Sequence, residues 1–118
     1  MSAAKPILKQ LKMGTTEILV LAILTQGDRY GYEISKEVFK RSKGFFEFKQ
    51  GFLYPALNRM ERAALIDSYW QESESGGPSR KYYRLTPAGR KRLQASTEAW
   101  SLFSKEFNRM LRVARKSR

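Results

Sequence analysis

Between residues 15 and 64 apolar side chains recur three and four positions apart, and beyond that they give way to runs of residues suited to strands. The first spacing is that of helices with a buried face. In "TTEILVLAILTQG", Ile18, Leu19, Leu21, Ile23 and Leu24 cover most of a helical circumference, so this helix is expected to be the buried one. Thr15 or Thr16 is suited to cap its start, Glu17 stands near the positive end of its dipole, and Gly27 is suited to the C′ position. "YGYEISKEVFKRSKG" predicts a second helix with Ile34, Val38 and Phe39 inward and Gly44 past its end. The connection "GDRYG" is short, which makes the two helices neighbours in space. Ahead of them, "AKPILKQLK" predicts a short basic helix or arm, with Pro6 at a first helical position.

"FKQGFLYPALNRMERAALI" predicts the third helix. At about 100° per residue, Leu53, Leu57, Met60 and Ala64 fall within about 60° of one another and form its inward stripe. Gly51, Asn58 and Arg62 point the opposite way, flanked by Tyr54 and Arg59. Pro55 is tolerated only in a first turn, which places the start of the helix near Gly51 and leaves the N–H groups of residues 51 to 54 at an electropositive end. Gly51 and Pro55 alone fit equally well a loop that ends and a core helix that begins. The exposed face tips the balance, because Tyr54, Asn58, Arg59 and Arg62, with Lys49 and Gln50 ahead of them, are residue types that bond phosphates and base edges.

"LIDSYWQES" and "RKYYRLT" read as two strands around the turn "ESGGPS", a hairpin with Gly76, Gly77, Pro78 and Ser79 at its tip and Arg80 and Lys81 just after it. The fold class expected is therefore mainly α with a small β-hairpin, a winged helix-turn-helix in residues 1–86. "TPAG" restarts a helix with Thr86 as N-cap and Pro87 at its first position. Leu93, Trp100, Phe107 and Ala114 recur every seventh residue, and Phe103, Met110 and Leu111 fill the companion positions. Such a seam on a helix of roughly 40 Å calls for a second copy, so residues 87–118 are expected to form a dimerisation helix and basic tail. The alternative is that the stripe packs back on its own chain.

Charge says what such a scaffold meets. The chain has 23 Lys and Arg against 11 Asp and Glu, a formal net charge of +12. Residues 80–118 hold 12 of the basic groups against only Glu98 and Glu106. A polyanion is the natural partner for that surface, and duplex DNA fits the third helix. The bland alternative is that the charges only solvate exposed faces. With no cysteine and no histidine, thiol nucleophiles, zinc-finger ligands and the usual general base are missing, and no Gly-rich phosphate loop is present. We expect no enzyme, no cofactor and no metal. The N-terminus has neither the apolar run of a signal peptide nor that of a membrane span, so a cytoplasmic protein without a membrane partner is expected.

As a set, "YGYEI", "GFLYPALNRMERAALI" and "GGPSRKYYRLTPAG", followed by a C-terminal helix, resemble the PadR family of bacterial transcriptional regulators, in its short, multidrug-responsive-like form. The resemblance implies a dimeric winged-helix repressor paired through its C-terminal helices. Two departures stand out. Phe52 occupies a place where the family usually has Thr, and Ala63 and Ala64 stand where a charge and a glycine are common. The expected function is a sequence-specific regulator that binds a pseudo-palindromic operator as a homodimer. Its effector would be a small aromatic compound held by Trp100 and Phe103, which otherwise simply fill the dimer core. The alternative function is a sequence-tolerant architectural or single-strand binder using Arg80, Lys81 and Tyr82 as a platform.

Overall fold

A computed structural model describes residues 4–116, and the last two positions of the basic tail, Ser117 and Arg118, lie outside the described residues. The helices are α1 (Ala4–Lys12), α2 (Thr16–Leu24), α3 (Gly31–Arg41), α4 (Gln50–Arg62) and α5 (Pro87–Lys116), and the strands are β1 (Arg29–Tyr30), β2 (Ile66–Gln71) and β3 (Arg80–Leu85). This is the mainly helical winged helix-turn-helix that the pattern predicts. Val20, Leu21, Ile23 and Leu24 of α2, Ile34 and Val38 of α3, and Leu53, Leu57 and Met60 of α4 make one core, closed by Phe48, Ile66 and Tyr83. No helix among the described residues is long and apolar enough to cross a membrane.

The expected hairpin is part of a three-stranded antiparallel sheet in the order β1-β3-β2. The connection "GDRYG" contributes β1, pairing Arg29 with Tyr83 and Tyr30 with Tyr82. A two-residue strand has no periodicity of its own, and the neighbouring β3 creates it. In the β2–β3 register Gln71 faces Arg80 and Ile66 faces Leu85, so Arg80 and Lys81, just after the tip as expected, are the first two residues of β3. The side chains of Tyr30, Tyr82 and Tyr69 line up across one sheet face, with ring centroids 5.4 and 5.8 Å apart. The Arg80 guanidinium covers the Tyr30 ring at 4.6 Å, and that of Arg84 covers Tyr69 at 5.0 Å.

Helix ends differ from expectation in several places, each for a backbone reason. Thr15 is the N-cap of α2 as expected, but its hydroxyl makes no capping bond and donates instead to the Lys12 carbonyl at 2.6 Å. Gly27 is not C′: Thr25 is the C-cap, and Gly27 follows two residues later at φ 135. Phe39 is exposed rather than inward, its ring lying against Gly44. Both α3 and α4 end in Schellman turns. In the first, Gly44 N–H donates to the Phe39 carbonyl and Lys43 N–H to that of Lys40. In the second, Leu65 N–H donates to the Met60 carbonyl at 3.0 Å and Ala64 N–H to that of Glu61 at 2.9 Å. Ala64 therefore leaves the helix at φ 62 and is exposed, and Ala56 takes its expected place in the inward stripe.

Thr86 starts α5 as expected. Gly89 N–H donates to its hydroxyl oxygen at 2.9 Å, and that hydroxyl lies 2.7 Å from the Ala64 carbonyl, tying α5 to the turn after α4. The first turns of α5 belong to the body of the molecule: Leu93 packs on the core and Arg92 reaches Glu17 of α2 at 2.8 Å. The rest extends outward and stretches the chain to 63 × 35 × 21 Å.

Candidate nucleic-acid interface

Helix α4 has one face buried by α2 and α3 and another left open. Leu53, Ala56, Leu57 and Met60 are buried, whereas Gly51, Tyr54, Asn58, Arg59 and Arg62 are exposed together with Lys49 and Gln50 ahead of them. The seven α4-region residues singled out from the sequence are thus all exposed, six of them on α4 and Lys49 at its N-cap. Pro55, however, is the sixth residue of α4 and lies past the first turn. Its missing N–H leaves the Gly51 carbonyl without the usual partner four residues on. Phe52 and Leu53 N–H groups donate to the Lys49 carbonyl at 3.0 and 2.9 Å. The free N–H groups at the electropositive end are therefore those of Gln50 and Gly51, a narrower set than expected. Gly51 itself has an unexceptional φ, and a β-carbon built on it would meet no atom within 4 Å.

Tyr54 is placed by its neighbour across the turn motif. Its ring lies over Gly31, the first residue of α3, where a β-carbon would come within 2.5 Å of the phenol oxygen. The loop leading into α4 is fastened from the other side by Lys12, whose ammonium donates to the Phe45 carbonyl and sits 4.0 Å above the Phe45 ring.

Glu61, which the sequence pattern did not mark, joins α4 to the wing. Its carboxylate accepts from the Ser68 hydroxyl of β2 at 2.5 Å and lies 3.6 Å from the Lys81 ammonium of β3. Nothing in its spacing signals this; the strand register has to bring residues 68 and 81 beside residue 61. Beneath the same carboxylate, burial first, then the charge of Glu61 and the Tyr54 phenol, pushes the Tyr83 phenol above its ordinary value. Lys81 is half-buried and already paired, while Arg80 and Ser79 are exposed. The loop that precedes Arg80 carries Glu72 and Glu74 ahead of an uncharged tip, so the positive charge of the wing sits on β3.

The α5 seam splits in two. Leu93 is engaged by its own core, which removes it from the open stripe. Trp100, Phe103, Phe107, Met110 and Leu111 are all exposed, between 43 and 65% of their surface being accessible. Trp100 and Phe103 centroids are 5.7 Å apart, and Phe103 stacks on Phe107 at 5.5 Å. A chain with five large apolar side chains in a row on a protruding helix has a surface that water does not favour.

The model of the transcriptional regulator PadR-like family matches residues 20–95. A transcriptional regulator from Clostridium thermocellum is 35% identical with a TM-score of 0.78, the match covering 85% of this chain and 96% of that one. A PadR family transcription regulator from Clostridium difficile is 42% identical with a TM-score of 0.72, covering 83% and 99%. One from Eggerthella lenta is 28% identical with a TM-score of 0.82, covering 92% and 91%. With its winged helix-turn-helix, its open α4 face and a family match over most of its length, the chain belongs to the PadR-like family of transcriptional regulators.

Proposed function

We propose that the protein is a sequence-specific repressor that lays α4 in the major groove of duplex DNA. The observation that carries this is Gly51: nothing in its own chain needs a glycine there, since neither φ nor a close contact demands one. Helix propensity disfavours glycine by about 1 kcal/mol relative to alanine. A close-approaching external backbone is the reason that remains, and the free N–H groups of Gln50 and Gly51 suit its phosphates. Lys49, Arg59 and Arg62 flank them with charge, and Asn58 and Tyr54 supply groups for base edges or phosphates. On the wing, Arg80 and Ser79 reach the DNA backbone, while Lys81 chiefly holds β3 to Glu61.

Two copies pair through Trp100, Phe103, Phe107, Met110 and Leu111, the open stripe of α5, and so present two α4 helices to a pseudo-palindrome with half-sites about one helical turn apart, roughly 34 Å. A dimer covering such a site excludes other proteins from it, which is how it represses. The aromatic run at Trp100 and Phe103 gives a flat aromatic effector a place to stack at the dimer centre, and such a ligand acts by favouring a subunit spacing that misfits the half-sites. A DNA partner places this work in the cytoplasm.

The test is Gly51→Ala, measured for both stability and DNA binding. The variant is expected to unfold no more easily than the parent, and to bind its preferred duplex about tenfold more weakly, the worth of one or two lost phosphate hydrogen bonds. Parent affinity should fall steeply with salt and differ by about 10³-fold or more between preferred and random duplex. Equal affinity for all duplexes would favour the architectural reading, and no salt-dependent binding would end both.

A further inference from the structure

We propose that Phe52 reads the 5-methyl group of thymine and so sets base preference at the head of α4. The inference rests on the DNA-reading role of α4 and adds one specific contact to it. Phe52 is the third residue of the helix and 48% exposed. It has no place in the core, which α4 enters through Leu53, Leu57 and Met60. Its backbone N–H is engaged by the Lys49 carbonyl, and its ring has no group that can bond a phosphate or a hydroxyl. By helical geometry it lies about 20° from Arg59 around the axis and about 100° from Gly51, on the flank of the face that carries the cationic and amide side chains.

An apolar ring kept in water among such residues needs an apolar partner inside a polyanionic surface. Base edges in the major groove display donors and acceptors, and the apolar group that projects from them is the thymine C5 methyl. That methyl is the partner the location selects. A second copy of the chain fits less well, because the flank is shared with Arg59 and with the positive helix end, and like charges would meet across it. The apolar surface suited to a second copy lies on α5 instead, at Trp100 and Phe107.

The experiment starts from the duplex that the wild-type protein enriches from a random-sequence pool. Thymines in it are replaced by uracil one at a time, which removes a single methyl and leaves every hydrogen-bonding edge intact. Wild type should bind at least one uracil duplex about fourfold more weakly, the worth of one buried methyl-sized group. That penalty should persist in part in Phe52→Leu and disappear in Phe52→Ala. A preferred duplex whose uracil replacements are all neutral overturns the role of Phe52 and leaves the reading of α4 in place, as does an equal penalty in wild type and Phe52→Ala. A pool from which nothing is enriched overturns the reading of α4 itself, and this contact with it.

Discussion

Tyr54 of α4 lies directly against Gly31 of α3, so close that a β-carbon on residue 31 would sit 2.5 Å from its phenol oxygen and 2.7 Å from two of its ring carbons. The atoms that would have to give way are at the free end of a side chain that is 38% exposed, so the ring can swing aside. Gly31→Ala is therefore expected to cost about 1 kcal/mol of stability or less, in the range of ordinary substitutions. Displacing the phenol should weaken DNA binding about tenfold, one charge-assisted hydrogen bond. Thermal unfolding and a binding titration read the two effects separately. Affinity equal to wild type would take Tyr54 out of the interface.

Phe107 tests the assembly. Its ring stacks on Phe103 at 5.5 Å and both are about half exposed in the single chain. Phe107→Asp leaves the core of the chain untouched, but in a dimer it buries an unpaired charge at a cost of several kcal/mol. Sedimentation velocity should show folded monomer where the parent is dimeric. A variant as dimeric as its parent would mean that some other surface joins the subunits.

Ala64 holds a conformation that suits glycine. It occupies the C′ position of the Schellman turn closing α4, at φ 62, where a β-carbon crowds the following carbonyl. Replacing it with glycine should raise stability by about 1 kcal/mol, or roughly 4 °C in Tm. Calorimetry of Ala64→Gly decides this; an unchanged or lower Tm would show that the left-handed turn carries no strain.

Gly89 is the opposite case. A β-carbon there would fall 2.0 Å from the Leu65 carbonyl oxygen and 2.8 Å from Leu85 Cδ1, and the first of these is backbone that cannot step aside. The same residue donates its N–H to the capping Thr86 hydroxyl. Gly89→Ala is predicted to destabilise by about 3 kcal/mol or more, beyond most overpacking changes, because α5 has to lift from the turn after α4. Urea unfolding should show the midpoint fall, and parent-like stability would refute the contact.

Helical spacing placed Leu53, Leu57 and Met60 inward and Gly51, Asn58 and Arg62 outward, because a 3.6-residue period and the removal of apolar groups from water are properties of the local string. The same reasoning made Thr86 a helix cap and set an apolar stripe along α5. Pairings between distant segments were not legible in this way. That Arg29 and Tyr30 form a strand depends on Tyr82 and Tyr83 lying beside them. That Glu61 links helix to wing depends on a register that brings Ser68 and Lys81 to it. That Leu93 turns inward while Trp100, seven residues on, stands in solvent depends on where the core ends beneath α5. A repeat along one chain specifies which residues share a face, and only the packed structure decides what that face meets, since burial is a property of all the neighbours at once.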